Sequence, residues 1–203
     1  MKKLLSLAPL YKLFNVVIGA NKERRILSDE YIKSDSNSSI LDLGCGNAEI
    51  LSYLEFSEYT GIDFSVEYIN QAKKQYAKRT NVSFCNADII EFLASNNTQY
   101  DIVLLIGVMH HMDDDCLRQC LKSIRKALSP QGKLVTLDGC IEPHVPRIAK
   151  TLLNNDRGEY VRTKEAWIDL FLNEDIFSDY AYSIRNDLLY IPYNHIIFHL
   201  REE

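Results

Sequence analysis

Apolar positions along this chain follow two rhythms. Near the start, Leu10, Leu13, Phe14, Val17 and Ile18 recur at helical spacing, which predicts one or two amphipathic helices over residues 8–33. The polar run from Ser34 through Asp35, Ser36, Asn37 and Ser38 to Ser39 is a loop. Beyond it, short apolar runs alternate with helical stripes. Residues 40–43, 59–64, 82–85, 102–106 and 133–137 read as strands. The 102–106 run is apolar throughout, as in a strand covered on both faces. Helices are predicted over 47–56, over a stretch N-capped by Ser65 and carrying Val66, Ile69, Ala72 and Tyr76, and over 89–94. Leu117, Cys120, Leu121, Ile124 and Leu128 make a further stripe, closed by a turn at 129–132. Alternating strands and helices imply a parallel sheet with helices on both faces. Residues 144–174 read as helical with a loop near 154–158, and residues 176–200 as two strands joined near Asn186 and Asp187. The predicted fold is α/β: a doubly wound, mostly parallel sheet with a C-terminal antiparallel strand pair and N-terminal helices. A single domain over 1–203 is expected, divided into 1–37, a core at 38–138 and a closing part at 139–203.

Composition narrows the function. The 203 residues are 46% hydrophobic and 25% charged, ordinary for a chain with a proper core. The net charge of −5 comes without a long basic run, so nucleic acid is not an expected partner. Five cysteines, Cys45, Cys85, Cys116, Cys120 and Cys140, include no C-x-x-C pair. They read as buried free thiols of a reducing, cytoplasmic compartment. Met1, Lys2 and Lys3 before Leu4, Leu5 and Leu7 look like the start of a secretion signal. Pro9, Lys12 and Asn15 break that apolar run, and no stretch is long enough to span a membrane. Oligomeric state is left open.

The candidate chemistry begins at Ile40-Leu41-Asp42-Leu43-Gly44-Cys45-Gly46-Asn47-Ala48. An apolar strand carrying one acid runs into a glycine turn, where Gly44 and Gly46 permit a tight bend and a close ligand approach. The helix expected after it would aim its first N–H groups at that ligand. In open α/β sheets ligands lie outside the carboxyl ends of the strands. Nicotinamide enzymes place a third glycine three residues after the second; here that residue is Glu49, a poor neighbour for a pyrophosphate. Asp42 suits a ligand with a positive end. Asp63, ending the second strand, can accept from both hydroxyls of a ribose or can cap the next helix. Asp88 can accept from the exocyclic amine of adenine, with Phe64 and Ile89 sandwiching the ring, or can serve as an N-cap.

The ordered set I-L-D-L-G-C-G, G-I-D-F-S, N-A-D-I, Y-D-I-V-L-L-I-G-V-M-H-H and L-S-P-Q-G-K-L-V resembles the Rossmann-like S-adenosylmethionine-dependent methyltransferases. The resemblance covers residues 38–138. It implies S-adenosylmethionine as cofactor, S-adenosylhomocysteine as product, and a cofactor site at Asp42, Gly44, Cys45, Gly46, Asp63, Phe64, Ala87, Asp88, Ile89 and Ile106. Ala48 departs from the pattern, since many members carry a third glycine there. Val16-Val17-Ile18-Gly19, Asp156-Arg157-Gly158 and Ile191-Pro192-Tyr193 are similar to a bacterial small-molecule subgroup.

Methyl transfer from a sulfonium needs alignment and exclusion of water more than acid–base chemistry. A base helps when the acceptor must lose a proton. His110 and His111, after the fourth strand, are the candidates; alternatively one packs on the cofactor and the other caps the next helix. No N-P-P-[YF] follows that strand, and its absence favours a small-molecule acceptor. The acceptor pocket is expected from the N-terminal helices and residues 138–165, with Tyr11, His144, Arg147, Arg157, Tyr160 and Arg162 as candidates. The arginines suggest an anionic acceptor, or else surface salt bridges. His195 and His199 share a strand face but lack a third ligand nearby, so no metal is expected. A reductase, from the Y-x-x-x-K spacing of Tyr160 and Lys164, and a non-catalytic cofactor-binding module are the rival readings.

Overall fold

The computed structural model describes residues 19–141, 159–172, 177, 179–190 and 193–201. Strands β1 (Ser39–Leu43), β2 (Glu58–Asp63), β3 (Val82–Asn86), β4 (Tyr100–Ile106) and β5 (Leu128–Ile141) correspond to the five apolar runs. A two-residue strand, β6 (Arg162–Thr163), pairs with the end of β5. The late strands are β7 (Asp179–Arg185) and β8 (His195–Arg201). The sheet order is β3-β2-β1-β4-β5-β8-β7. Neighbours from β3 to β5 are parallel, whereas β8 runs antiparallel to both β5 and β7. The architecture is therefore the doubly wound, mostly parallel sheet with an antiparallel closing pair that the pattern predicts.

The strand period of two places alternate residues on opposite faces. Leu41, Leu43, Val103 and Leu105 pack with Leu117, Leu121 and Ile124 of α4 (Asp114–Ala127) and with Trp167 of α5 (Lys164–Leu172). Ile40, Ile102 and Leu104 face the other way, onto Leu27, Ile32, Leu51 and Ala72. Most of these side chains are fully buried, each contributing roughly 1.5–3 kcal/mol. Helix α2 (Val66–Gln75) starts at Ser65, whose hydroxyl accepts from Tyr68 N at 3.3 Å. Helix α3 (Ile89–Ser95) follows Asp88. On the Leu27 face lies α1 (Ala20–Ile26), which widens into a π-helical segment, Leu27–Ile32, ending at the left-handed Lys33.

Two local expectations change. The helix predicted over 47–56 is a single 3₁₀ turn, Glu49–Tyr53. Gly46 and Ala48 hold positive φ angles of 55° and 57°, and a right-handed helix cannot start through such residues. The turn predicted at 129–132 lies inside β5, where Gln131 takes φ 66° and the register with β4 shifts between Tyr100 and Ile102. Residues 8–18 of the N-terminal prediction and 144–158 of the later helical stretch lie outside the described residues.

Candidate cofactor and acceptor site

The chain runs from β1 outward to β2 and β3, then returns to β4 on the other side of β1. The carboxyl ends of β1 and β4 therefore diverge, which is where an open α/β sheet binds ligands. Gly44 leaves β1 at φ 78°, and a Cβ there would meet the Val108 side chain at 2.4 Å. The loops after β1 and β4 are that close. Gly46 (φ 55°) and Gly107 (φ 67°) are the converse: a Cβ on either would meet nothing within 4 Å. Two bare stretches of backbone thus border open space at the switch point.

Asp63 organises the rim. One of its carboxylate oxygens accepts from Gly46 N at 2.9 Å and the other from Ser65 N at 2.8 Å. The strand-end acid thereby ties the glycine turn to the β2–α2 corner. Each oxygen keeps a further lone pair, so a ribose diol is compatible with both contacts. Phe64, beside it, is 83% exposed, a large cost for an aromatic ring that nothing covers. Asp88 caps α3 by accepting from Ile90 N and Glu91 N. Ala87 and Ile89 are half-buried against the core beside it, and Ile106 ends β4 half-buried on the opposite face. Cys45 is part-buried, with Sγ contacting the Gly46 carbonyl.

Asp42 lies under the glycine turn and is 3% exposed. Burial pushes its carboxyl up to about 7, against the hydrogen bond donated by the Tyr59 hydroxyl at 2.5 Å. Ala48 is buried in the left-handed conformation, the geometry that makes glycine common there. These residues fit an adenosine-bearing cation: a carboxylate for the diol, an uncovered ring for the base, open glycines, and a buried acid under the turn.

The second set of groups surrounds the end of β4 and β5. His110, in the 3₁₀ turn Met109–His111, directs Nδ1 at the Asp138 carboxylate. Asp138 also accepts from Met109 N at 3.0 Å and His110 N at 3.3 Å. The rings of His110 and the exposed His111 lie 4.1 Å apart. Tyr160 N donates to the His110 carbonyl at 3.0 Å, and Tyr160 is 39% exposed. Across the sheet, His195 Nε2 is 3.4 Å from Glu23 of α1, whose carboxyl burial raises to about 7.

Arg162, expected on the acceptor side, is instead held within the protein. Its Nε and one Nη donate to Asp114, the same Nη reaches the Met112 carbonyl, and the other Nη donates to the carbonyls of Met109 and Tyr160. All of its N–H donors are engaged within the protein. Arg162 braces the histidine turn and is not placed to grip an acceptor. Tyr11, His144, Arg147 and Arg157 lie outside the described residues. The Y-x-x-x-K pair is not on one helix, because 162–163 is strand and α5 begins at Lys164; that removes the geometric basis of the reductase reading. Among the described residues no group of three metal-ligating side chains occurs, and no helix is long and apolar enough to cross a membrane. Cys120 and Cys140 are buried, while Cys85 on the edge strand is exposed. Sequence reasoning missed Asp138 and Glu23. Leu137-Asp138-Gly139 repeats the pattern of an apolar strand, an acid and a glycine seen near Asp42, and that signal was readable.

A sheet of this order with an adenosine-compatible carboxyl edge defines the nucleoside-binding doubly wound class. Residues 34–178 match the family model described as "Methyltransferase domain", and the chain belongs to that family. It is 30% identical over 132 residues to the N-terminal Xaa-Pro-Lys N-methyltransferase 1-A of Xenopus laevis, covering 61% of this chain and 58% of that protein. Its fold is similar to a SAM-dependent methyltransferase of Archaeoglobus fulgidus (TM-score 0.71, 16% identity, 95% and 99% covered). It is also similar to the plantazolicin methyltransferase BamL, solved with a triazolic desmethylPZN analog and SAH (TM-score 0.62, 15% identity, 91% and 84% covered). The chain spans a quarter of one curated relative and about half of another.

Proposed function

We propose that this protein transfers the methyl group of S-adenosylmethionine in line to a small-molecule acceptor, releasing S-adenosylhomocysteine. The observation that carries it is the switch point, where Gly46 and Gly107 border open space beside the Asp63 carboxylate and the uncovered Phe64 ring. When bound, the sulfonium supplies an activated methyl group. The chain's part is to hold the adenosine end, align the nucleophile and exclude water. Asp63 takes the ribose diol, Phe64 and Ile89 the adenine, and Asp42 favours the cationic end; Gly44, Cys45, Gly46, Ala87, Asp88 and Ile106 complete the cofactor wall. His110 and His111 are the candidate acid–base groups. Tyr160 stands on the acceptor side, with Tyr11, His144, Arg147 and Arg157 as further candidates and an anionic acceptor as the finer reading. On this reading the methyltransferase domain works in the cytoplasm, with a small molecule as its partner rather than nucleic acid or a membrane. The acidic net charge and the missing N-P-P-[YF] support a small acceptor over RNA or protein.

Calorimetry with S-adenosylhomocysteine and with NADH tests the cofactor: micromolar binding of the first and none of the second is expected. Incubating labelled S-adenosylmethionine with a cell extract, fractionated by size, tests the acceptor. Label confined to the RNA or protein fraction would overturn the small-molecule reading.

A further inference from the structure

We propose that a basic cavity at the amino edge of the sheet, lined by Lys33, Lys133 and Arg201, binds the phosphate group of a small hydroxylated molecule. The cavity has a volume of about 540 Å³, within the range of small-molecule sites. It opens between the start of β4, the early part of β5, the start of β7 and the end of β8. Gly46 and Gly107 lie at the opposite edge of the sheet. From Ile102 to Ile106 alone, β4 rises roughly 13 Å, so an occupant of this cavity does not reach the transferred methyl group. This site is separate from the one read above as the cofactor's, and stands whether or not that reading does.

Strand register brings the cations together. Lys133 of β5 stands directly opposite Arg201 of β8, and Arg201 directly opposite Asp179 of β7. Side chains so opposed have Cβ atoms roughly 4.5–5.5 Å apart, and like charges there repel. Lys33, which ends the π-helical segment, lines the same cavity as a third cation. Among the described residues, no ion pair or hydrogen bond engages these three side chains. Of the two lining acids, Asp101 is already taken. One of its oxygens accepts from Ser39 N at 2.9 Å and Ser39 Oγ at 2.7 Å, the other from Ser129 Oγ at 2.8 Å. Asp179 is left to accept from a ligand hydroxyl, and Gln131 can donate or accept. The unbalanced positive field is felt by its neighbours. Burial, then Arg201 and Lys33, hold the Lys133 ammonium below its ordinary value, with Asp35 acting the other way. One row along, His199 Nε2 is buried with no hydrogen-bond partner among the described residues. Lys33 and Gln131 take left-handed φ angles of 44° and 66°, a strain that recurs at ligand clamps. A phosphate dianion would relieve the repulsion between Lys133 and Arg201 and match the fork of the guanidinium.

The test is calorimetry on the full chain, saturated with S-adenosylhomocysteine so that the cofactor site is filled. The probes are glycerol phosphate, ribose phosphate, inorganic phosphate, sulfate and glycerol. At least one of the two phosphomonoesters should bind with a Kd under about 1 mM, at least about tenfold tighter than sulfate or inorganic phosphate. Glycerol alone should not bind. Lys133→Gln and Arg201→Gln should each weaken the phosphomonoester at least about tenfold. Affinity for S-adenosylhomocysteine, measured on the same samples, should stay within about threefold, which shows an intact fold. Wild type should also melt at a higher temperature with the phosphomonoester present, and both variants should lose that rise. No binding by either phosphomonoester up to about 10 mM, equal affinity for sulfate, or binding kept within threefold in both folded variants overturns the proposal. Failure of S-adenosylhomocysteine to bind wild type would remove the cofactor reading alone; the same titrations on the unliganded chain, with circular dichroism as the check of fold, then decide this site.

Discussion

The β1–β3 rim and the rim around β4, β5 and β8 share one edge of the sheet but are built differently. On the first, contacts are short in sequence: Asp63 holds Gly46 and Ser65, and Asp88 caps its own helix. On the second, they are long. Asp138 grips a turn 29 residues earlier, and Arg162 reaches back 53 residues to Met109. The β1–β3 rim is made by motifs that fold locally, the other by packing. Substitutions on the first should therefore alter ligand binding, and braces of the second should alter stability.

The largest effect is expected where the two rims touch. Gly44→Ala places a methyl at 2.4 Å from Val108 Cγ2 in a left-handed conformation. Overpacking costs about 1–3 kcal/mol and the conformation about 1–2 kcal/mol. Unfolding free energy from urea denaturation should fall by about 2–5 kcal/mol; a loss under about 1 kcal/mol would mean the rims can separate freely.

Next comes Arg162→Met, which strands several buried carbonyls. Each unmet acceptor costs about 1–3 kcal/mol, partly offset by water entering. A stability loss of about 2–4 kcal/mol is expected, with S-adenosylhomocysteine affinity within about threefold. An equally stable variant with weakened acceptor kinetics would return Arg162 to the acceptor set and blur the contrast.

Asp63→Ala should act the opposite way, weakening S-adenosylhomocysteine binding by about 1.5–3 kcal/mol, the range for hydrogen bonds to a charged group. Calorimetry on a folded variant with unchanged affinity would remove Asp63 from the cofactor rim.

The last effect concerns pH. Asp42 titrates near 7 in the fold against an ordinary 3.8, with burial as the main cause. Between these values the folded state keeps a proton that the unfolded chain has lost. This contribution therefore favours the fold most below about pH 4, declines as pH rises, and levels off above about 7. The slope is at most about 1.4 kcal/mol per pH unit. Glu23, raised to about 7 by burial, adds in the same direction. Asp42→Asn should flatten its share in denaturation curves at pH 5.5 and 8, and a cationic cofactor should bind wild type more tightly at pH 8 than at pH 6. A slope unaltered in Asp42→Asn would exclude Asp42 as its source.

Residue patterns alone determined the alternating elements, the antiparallel closing pair, the glycine turn and the strand-end acids Asp42, Asp63 and Asp88. Each depends on a period or on neighbours a few positions apart, and such interactions are written in local order. Only the tertiary structure decided that Glu49–Tyr53 is a 3₁₀ turn: Gly46 and Ala48 take positive φ, with the Gly46 N–H held by Asp63 of β2 and Ala48 buried in the core. Only it converted Arg162 from an acceptor candidate into a brace, because the carbonyls that claim it come from another loop. It alone joined Asp138 to His110. A hydrogen bond between distant residues depends on which strands lie side by side, and the linear order of the chain does not state that adjacency.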